Sequence, residues 1–170
     1  MNVNVAIIDQ RLNAVVEEVR EFAGAVMKMT DEPRLRSLAF VQLCVQTVLG
    51  MNSEEAMDCL TEGGGDFGVD AFHIGESVDG EFVVTLFQCK YTHKNLEGAA
   101  NFDEDGVGKA VNAVRFLFDP HATVAANPRI LSRMEDVRSR IVDGEIPRIR
   151  FLLCNNGIRW NDEAQKHIDR

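Results

Sequence analysis

Two polar residues one position apart, Gln88 and Lys90, close an apolar run from Phe82 to Tyr91, and Asp70 stands inside a shorter apolar run, Val69 to Ile74. Side chains of an extended strand alternate between its faces. Phe82, Val84, Leu86, Gln88 and Lys90 therefore share one side, and Val83, Thr85, Phe87, Cys89 and Tyr91 the other. An amide and an ammonium at the end of an apolar face are costly in a core and well suited to a site that holds a metal ion and a phosphate. Asp79-Gly80 between the runs predicts an antiparallel hairpin. Asp70, expected two residues into the first strand, then converges on Gln88 and Lys90. A cross-strand Asp70–Lys90 ion pair, with Gln88 bonded to a loop, satisfies the same spacing, and spacing alone leaves both readings open.

The elements that must position these residues follow from periodicity. Val5, Ile8, Leu12, Val15, Val19, Phe22, Val26 and Met29 recur at alternating steps of three and four, which predicts one long amphipathic N-terminal helix. Such a helix lies across its own domain or pairs with a second copy, so a homodimer through it is one expected use. A second helix is predicted from Arg34 to Leu49, and a short one from an N-cap at Ser53 to Leu60, with Glu54 and Glu55 at its positive end. Gly63-Gly64-Gly65 ends the helical block. After the hairpin, a polar stretch from Thr92 to Gly106 reads as loop, helices are predicted over 108–118 and from Asn127-Pro128 to Val142, a buried strand over 149–154, and a last helix from Asn161. This order predicts an α/β (α+β) chain with a small central sheet.

Other motifs are weaker. Gly63-Gly64-Gly65-Asp66-Phe67-Gly68 satisfies the spacing of the dinucleotide fingerprint, but that fingerprint needs a strand before it and a helix after it, and here the order is reversed. Asp66 reads as a turn residue that could also serve as a metal ligand, and Glu54, Glu55 and Glu62 are further acidic candidates. His73 falls on the strand face opposite Asp70 and is taken as structural. Cys44, Cys59, Cys89 and Cys154 lie 15, 30 and 65 residues apart, without the short paired spacing of a zinc site, so they are expected to be reduced thiols, with Cys89 and Cys154 buried in apolar runs. Lys109 could reach a phosphate. Arg129, Arg133 and Arg140 fall on one helix face, which suits either phosphate or a solvated surface shared with Glu135 and Asp136.

The stretches Gly64-Gly65-Asp66-Phe67-Gly68-Val69-Asp70-Ala71 and Leu86-Phe87-Gln88-Cys89-Lys90-Tyr91 resemble the GG-x-D-x-G-I-D-A and Q-x-K-Y pattern of the PD-(D/E)xK nuclease superfamily. The likeness is strongest to the N-terminal region of abortive-phage-infection (AIPR-type) proteins and to Mrr-like restriction endonucleases. It extends more loosely from about Phe40 to the strand at Ile149. Val69 replaces the proline of the superfamily name, Gln88 replaces its second acidic ligand, and the predicted helix from Arg34 to Leu49 has no acidic residue. The resemblance implies a restriction-endonuclease-like small mixed sheet flanked by helices, with a nuclease-like core over about 34–160 in a single domain spanning 1–170. It also implies that the chain is the N-terminal part of a longer protein. It further implies a metal-dependent endonuclease in phage defence, cutting DNA rather than RNA, with catalytic residues Asp70, Gln88 and Lys90. Mg²⁺ or Mn²⁺ would be held by Asp70, Gln88, the Cys89 backbone carbonyl and, as a further candidate, Asp66. Nucleic-acid contacts would come from Lys109, Arg129, Arg133 and Arg140. The rival expectation is a catalytically weak or inactive module of the same fold that binds nucleic acid or dimerises.

With 170 residues, 45% of them apolar and 26% charged, the chain has the composition of a globular domain. Its net charge of −9 divides into −1 over residues 1–50, −10 over 51–110 and +2 over 111–170. That balance argues against a non-specific nucleic-acid binder, whose affinity comes from phosphate attraction, but not against an acidic metal site beside a basic flank. With neither a membrane-length apolar run nor a signal-like N-terminus, the chain is expected to be cytoplasmic and to have no membrane partner.

Overall fold

The computed structural model describes residues 3–63, 65, 67–92, 104–118 and 127–157. The run expected as one helix is α1 (Val3–Phe22) followed by a π-helical turn, Ala23–Met27, which ends at Lys28 in the left-handed conformation. The wider turn shifts the phase of the heptad. Val26, expected on the apolar stripe, is 50% exposed, while Leu12, Val15, Val19, Ala23 and Met29 are buried. The stripe packs on α2 (Glu32–Leu49) within the same chain, so the face expected to serve a dimer is occupied from inside.

Helix α2 begins two residues earlier than expected because Asp31 is its N-cap, accepting from the Arg34 N–H at 3.2 Å, with Pro33 in the first turn. Helix α3 (Ser53–Cys59) is capped by Asn52 rather than Ser53. The Asn52 side chain accepts from the Glu55 N–H, and the Glu55 carboxylate accepts from the Asn52 N–H, each at 3.0 Å, a reciprocal capping box. The Ser53 hydroxyl, freed from capping, donates to Glu18 at 2.5 Å and accepts from the buried Gln42 amide at 2.7 Å.

The expected antiparallel hairpin forms. Strand β1 (Ala71–Ile74) runs antiparallel to β2 (Glu81–Lys90), with Ala71 opposite Phe87 and Ile74 opposite Val84. Helices α4 (Glu104–Phe118) and α5 (Pro128–Val142) then lead to β3 (Ile146–Asn155), which pairs parallel with β2 from Glu81–Ile146 to Lys90–Asn155. Three boundaries differ from expectation. β1 starts at Ala71 instead of Val69, α4 starts at Glu104 inside the expected loop, and β3 is a longer, half-buried edge strand rather than a buried one. The last helix expected from Asn161 lies outside the described residues.

The result is a mixed α/β chain with a three-stranded sheet ordered β1-β2-β3 and helices on both faces. Central β2 divides the core as its alternation requires. Phe82, Val84 and Leu86 pack with Phe72, Met134 and Val137 on the α4/α5 side, and Phe87 packs with Leu12, Leu35 and Leu38 on the α1/α2 side. Each fully buried Leu or Phe contributes about 1.5–3 kcal/mol, so both faces hold β2 in one register. Among the described residues, no helix is long and apolar enough to cross a membrane.

Candidate metal and phosphate site at the end of the central strand

Asp70 stands one residue before β1, where the strand ladder is giving out. Its N–H donates to the Phe87 carbonyl at 2.8 Å and its carbonyl accepts from the Thr61 N–H at 2.9 Å. Beyond that point the side chain replaces the backbone, and the carboxylate accepts the Cys89 N–H at 2.6 Å. This corrects the expectation that Asp70 lies inside the strand, yet its convergence with the end of β2 stands. The regular pairing ends at Ala71–Phe87, and Asp70 also donates its N–H to the Phe87 carbonyl, so the ladder is broken at Asp70, while Gln88 and Lys90 follow Leu86 on the α4/α5 face of β2. A strand residue projects its N–H and C=O from the same edge, so the Cys89 carbonyl faces the Asp70 edge of β2 and not β3.

The Gln88 side-chain oxygen is buried and, among the described residues, has no hydrogen-bond donor. A buried acceptor without a donor costs about 1–3 kcal/mol, a condition the Gln88 oxygen shares with the Gln42 oxygen and the Thr85 hydroxyl among the described residues. The turn before β1 closes this spot from the other side. Gly68 has φ +75°, and a Cβ there would lie 3.2 Å from the Gln88 amide nitrogen and 3.1 Å from the Lys109 Cβ. Lys109, on α4, is thus beside Gln88 and exposed. Phe67, also in a left-handed conformation at φ 56°, packs on Phe116 of α4 at 5.4 Å and helps hold the turn against that helix. Asp66 lies outside the described residues. A carboxylate, an amide oxygen and a backbone carbonyl are hard donors that fit Mg²⁺ or Mn²⁺ keeping several waters, with one carboxylate in the set.

The clamp made by Asn156 and the tertiary contacts of Asn127, beyond the cap that its Asn-Pro pair shows, escaped the sequence reading. Buried Asn156 clamps Thr92, accepting its N–H at 2.8 Å and donating to its carbonyl at 3.0 Å, which extends the β2–β3 ladder past Lys90 and fixes the end of β2. Asn127 caps α5 through the Ile130 N–H at 3.1 Å and donates from its amide to the Thr61 carbonyl at 2.8 Å, while its own N–H reaches the Gly65 carbonyl at 3.1 Å. It ties the glycine turn and the Asp70 partner strand to α5. The motif tyrosine, Tyr91, points away from Lys90 to the α1/α2 side. There it donates to Asp9 at 2.7 Å and packs on Phe40 at 5.5 Å, and burial pushes its phenol up, with Asp9 adding to the shift.

The arginine face serves the fold at close range. Arg129 donates to the Leu60 carbonyl at 2.5 Å and to the Met57 and Asp58 carbonyls, and Arg133 donates to the Asp58 carbonyl, so both satisfy the C-terminal end of α3. Arg140 donates to Asp136 and to the Gly75 carbonyl at 3.0 Å and covers the Phe82 ring. Arg129, Arg133, Asp58 and Asp136 line a cleft of about 680 Å³ with His73, whose imidazole is held below its ordinary value by burial and by Arg133. Glu55, an acidic candidate, is committed to its capping box.

On the opposite face of β2 the structure assembles what cysteine spacing concealed. Cys89 and Cys154 are register partners on β2 and β3, and Cys44 of α2 meets them, with all three sulfurs within 4.8 Å of one another. S–H donation from the other two favours the Cys154 thiolate and lowers its pKa, while Cys44 and Cys89 are pushed up. Comparison with known proteins gives no match: no family model, no curated protein and no solved structure matches this chain.

Proposed function

We propose that this chain is a divalent-metal-dependent nuclease domain that hydrolyses phosphodiester bonds, DNA in preference to RNA, in a phage-defence setting of the kind its sequence resemblance implies. The observation that carries the reading is the buried Gln88 side-chain oxygen, without a partner among the described residues, next in the chain to the Cys89 N–H that the Asp70 carboxylate accepts, with Lys90 on the same strand face as Gln88. Asp70 supplies the one carboxylate of the set, aimed by its bond to the Cys89 N–H, and Gln88 and the Cys89 carbonyl add neutral oxygen donors. A bound Mg²⁺ or Mn²⁺ supplies Lewis-acid polarisation of a phosphate oxygen and a more acidic bound water. The Lys90 ammonium, on the same face, orients that water or offsets charge building on the phosphate. Lys109, beside Gln88, is placed to meet the phosphate backbone from α4.

A catalytically weak or inactive module is the second reading. It is favoured by the single carboxylate, already engaged by the Cys89 N–H. Calorimetric titration with Mn²⁺ tests the site directly. The wild type is expected to bind one ion, and Asp70→Asn, which keeps an acceptor for the Cys89 N–H, is expected to lose affinity by more than the ~10–100-fold typical of second-shell changes. Equal Mn²⁺ affinity in wild type and Asp70→Asn would remove Asp70, and with it this site, from the account.

A further inference from the structure

The three sulfurs behind the candidate site come from three elements and from positions 45 and 65 residues apart, Cys44 on α2, Cys89 on β2 and Cys154 on β3. No local motif accounts for their meeting. All three are free thiols, and their ligand atoms lie within 4.8 Å of one another. Three thiolates around a tetrahedral ion at a Zn–S distance of about 2.3 Å stand about 3.8 Å apart, so each pair needs to close by about 1 Å at most, within reach of small side-chain rotations. Among the described residues, no histidine or carboxylate joins the group.

We propose that Cys44, Cys89 and Cys154 form a three-thiolate site for Zn²⁺, with its fourth position open to water or an external ligand. Thiolates select soft and borderline ions over Mg²⁺ and Mn²⁺, so this site and the oxygen site across β2 sort their metals by chemistry. Charge separates zinc from cuprous ion. Three thiolates with Zn²⁺ carry −1 and with Cu⁺ carry −2, and the cysteines pack against the apolar α1/α2 core with the Asp70 carboxylate close enough to act on Cys44, so the smaller negative charge costs less. Partial burial of all three cysteines leaves a way in for the ion and for a water in the fourth position. The ion would join α2, β2 and β3 at the residue whose N–H holds Asp70, so it would brace the oxygen site without taking part in it.

The inference stands apart from the nuclease reading, because its readout is thiol chemistry and not cleavage. Reduced full-length chain is alkylated with and without equimolar Zn²⁺, and each cysteine is followed by mass spectrometry. Zinc is expected to slow modification of Cys44, Cys89 and Cys154 by about tenfold or more, since a metal-bound thiolate is no longer a free nucleophile, and to leave Cys59 unchanged. Co²⁺ used in place of zinc is expected to give thiolate-to-metal charge-transfer absorption that Cys44→Ala and Cys154→Ala each abolish and that Asp70→Asn and Cys59→Ala retain. Unprotected cysteines in the wild type, or cobalt bands that survive Cys44→Ala, would overturn the proposal.

Discussion

Gly68 is the residue on which the site closes. Its φ of +75° disfavours any L side chain, and a Cβ would press on the Lys109 Cβ at 3.1 Å and the Gln88 amide nitrogen at 3.2 Å. Gly68→Ala is therefore expected to destabilise the fold by about 1–3 kcal/mol through backbone strain and crowding. Because the displaced group is the Gln88 amide, Mn²⁺ affinity should fall with it. Urea unfolding and Mn²⁺ titration check this, and an alanine variant of unchanged stability would show that the turn relaxes freely. At this scale the sequence was partly legible. Period two alone sets Gln88 and Lys90 on one face and Cys89 and Tyr91 on the other, as the packing of Leu86 and Phe87 into opposite cores shows. The bond from the Cys89 N–H to Asp70 was not legible, because it exists only where β1 stops short of the end of β2.

Helix starts and strand pairings differ in how far local sequence determines them. Asn127-Pro128 fixed the start of α5 because cap and first turn are neighbours. The sequence reading took Ser53 as the cap of α3, but Glu55, three residues after Asn52, completes a capping box with Asn52 instead. Asn127 does more than cap, since the Thr61 and Gly65 contacts make it the link between α5 and the turn that presents Asp70. Asn127→Ala is expected to cost about 2 kcal/mol, the upper end of the capping range, because the Thr61 carbonyl loses its donor as well. Thermal or urea unfolding measures it, and a loss below about 0.5 kcal/mol would mean that neither bond contributes as argued. The π-helical turn and the parallel pairing of β3 were not legible. A heptad count assumes constant rotation per residue, and a crossover strand leaves no local mark of which partner it joins.

At the scale of the whole molecule, the sheet separates two chemistries by thickness alone. Gln88 and Lys90 lie on the Leu86 face of β2 and the three sulfurs on its Phe87 face, and the single residue Cys89 meets Asp70 through its backbone and the other two sulfurs through its side chain. Composition and periodicity announced a mixed α/β chain, but the meeting of three cysteines depends on tertiary packing that no spacing rule encodes. The arginines read as a phosphate-binding face are engaged at helix and loop carbonyls for a similar reason: i, i+4 spacing gives a shared face without saying what it meets. A net charge of −9 repels a polyanion, so on the proposed reading nucleic-acid binding by this chain alone is expected to be weak. The central claim is that Asp70, Gln88 and Lys90 form a hydrolytic site. It is tested most directly by incubating supercoiled plasmid with Mn²⁺ or with EDTA, using the wild type beside Lys90→Ala. The account predicts metal-dependent nicking that falls by about 10²–10³ in Lys90→Ala, the loss typical when a transition-state charge partner is removed. Nicking that persists in EDTA or survives in Lys90→Ala, or a wild type that binds Mn²⁺ and cuts neither DNA nor RNA, would contradict it.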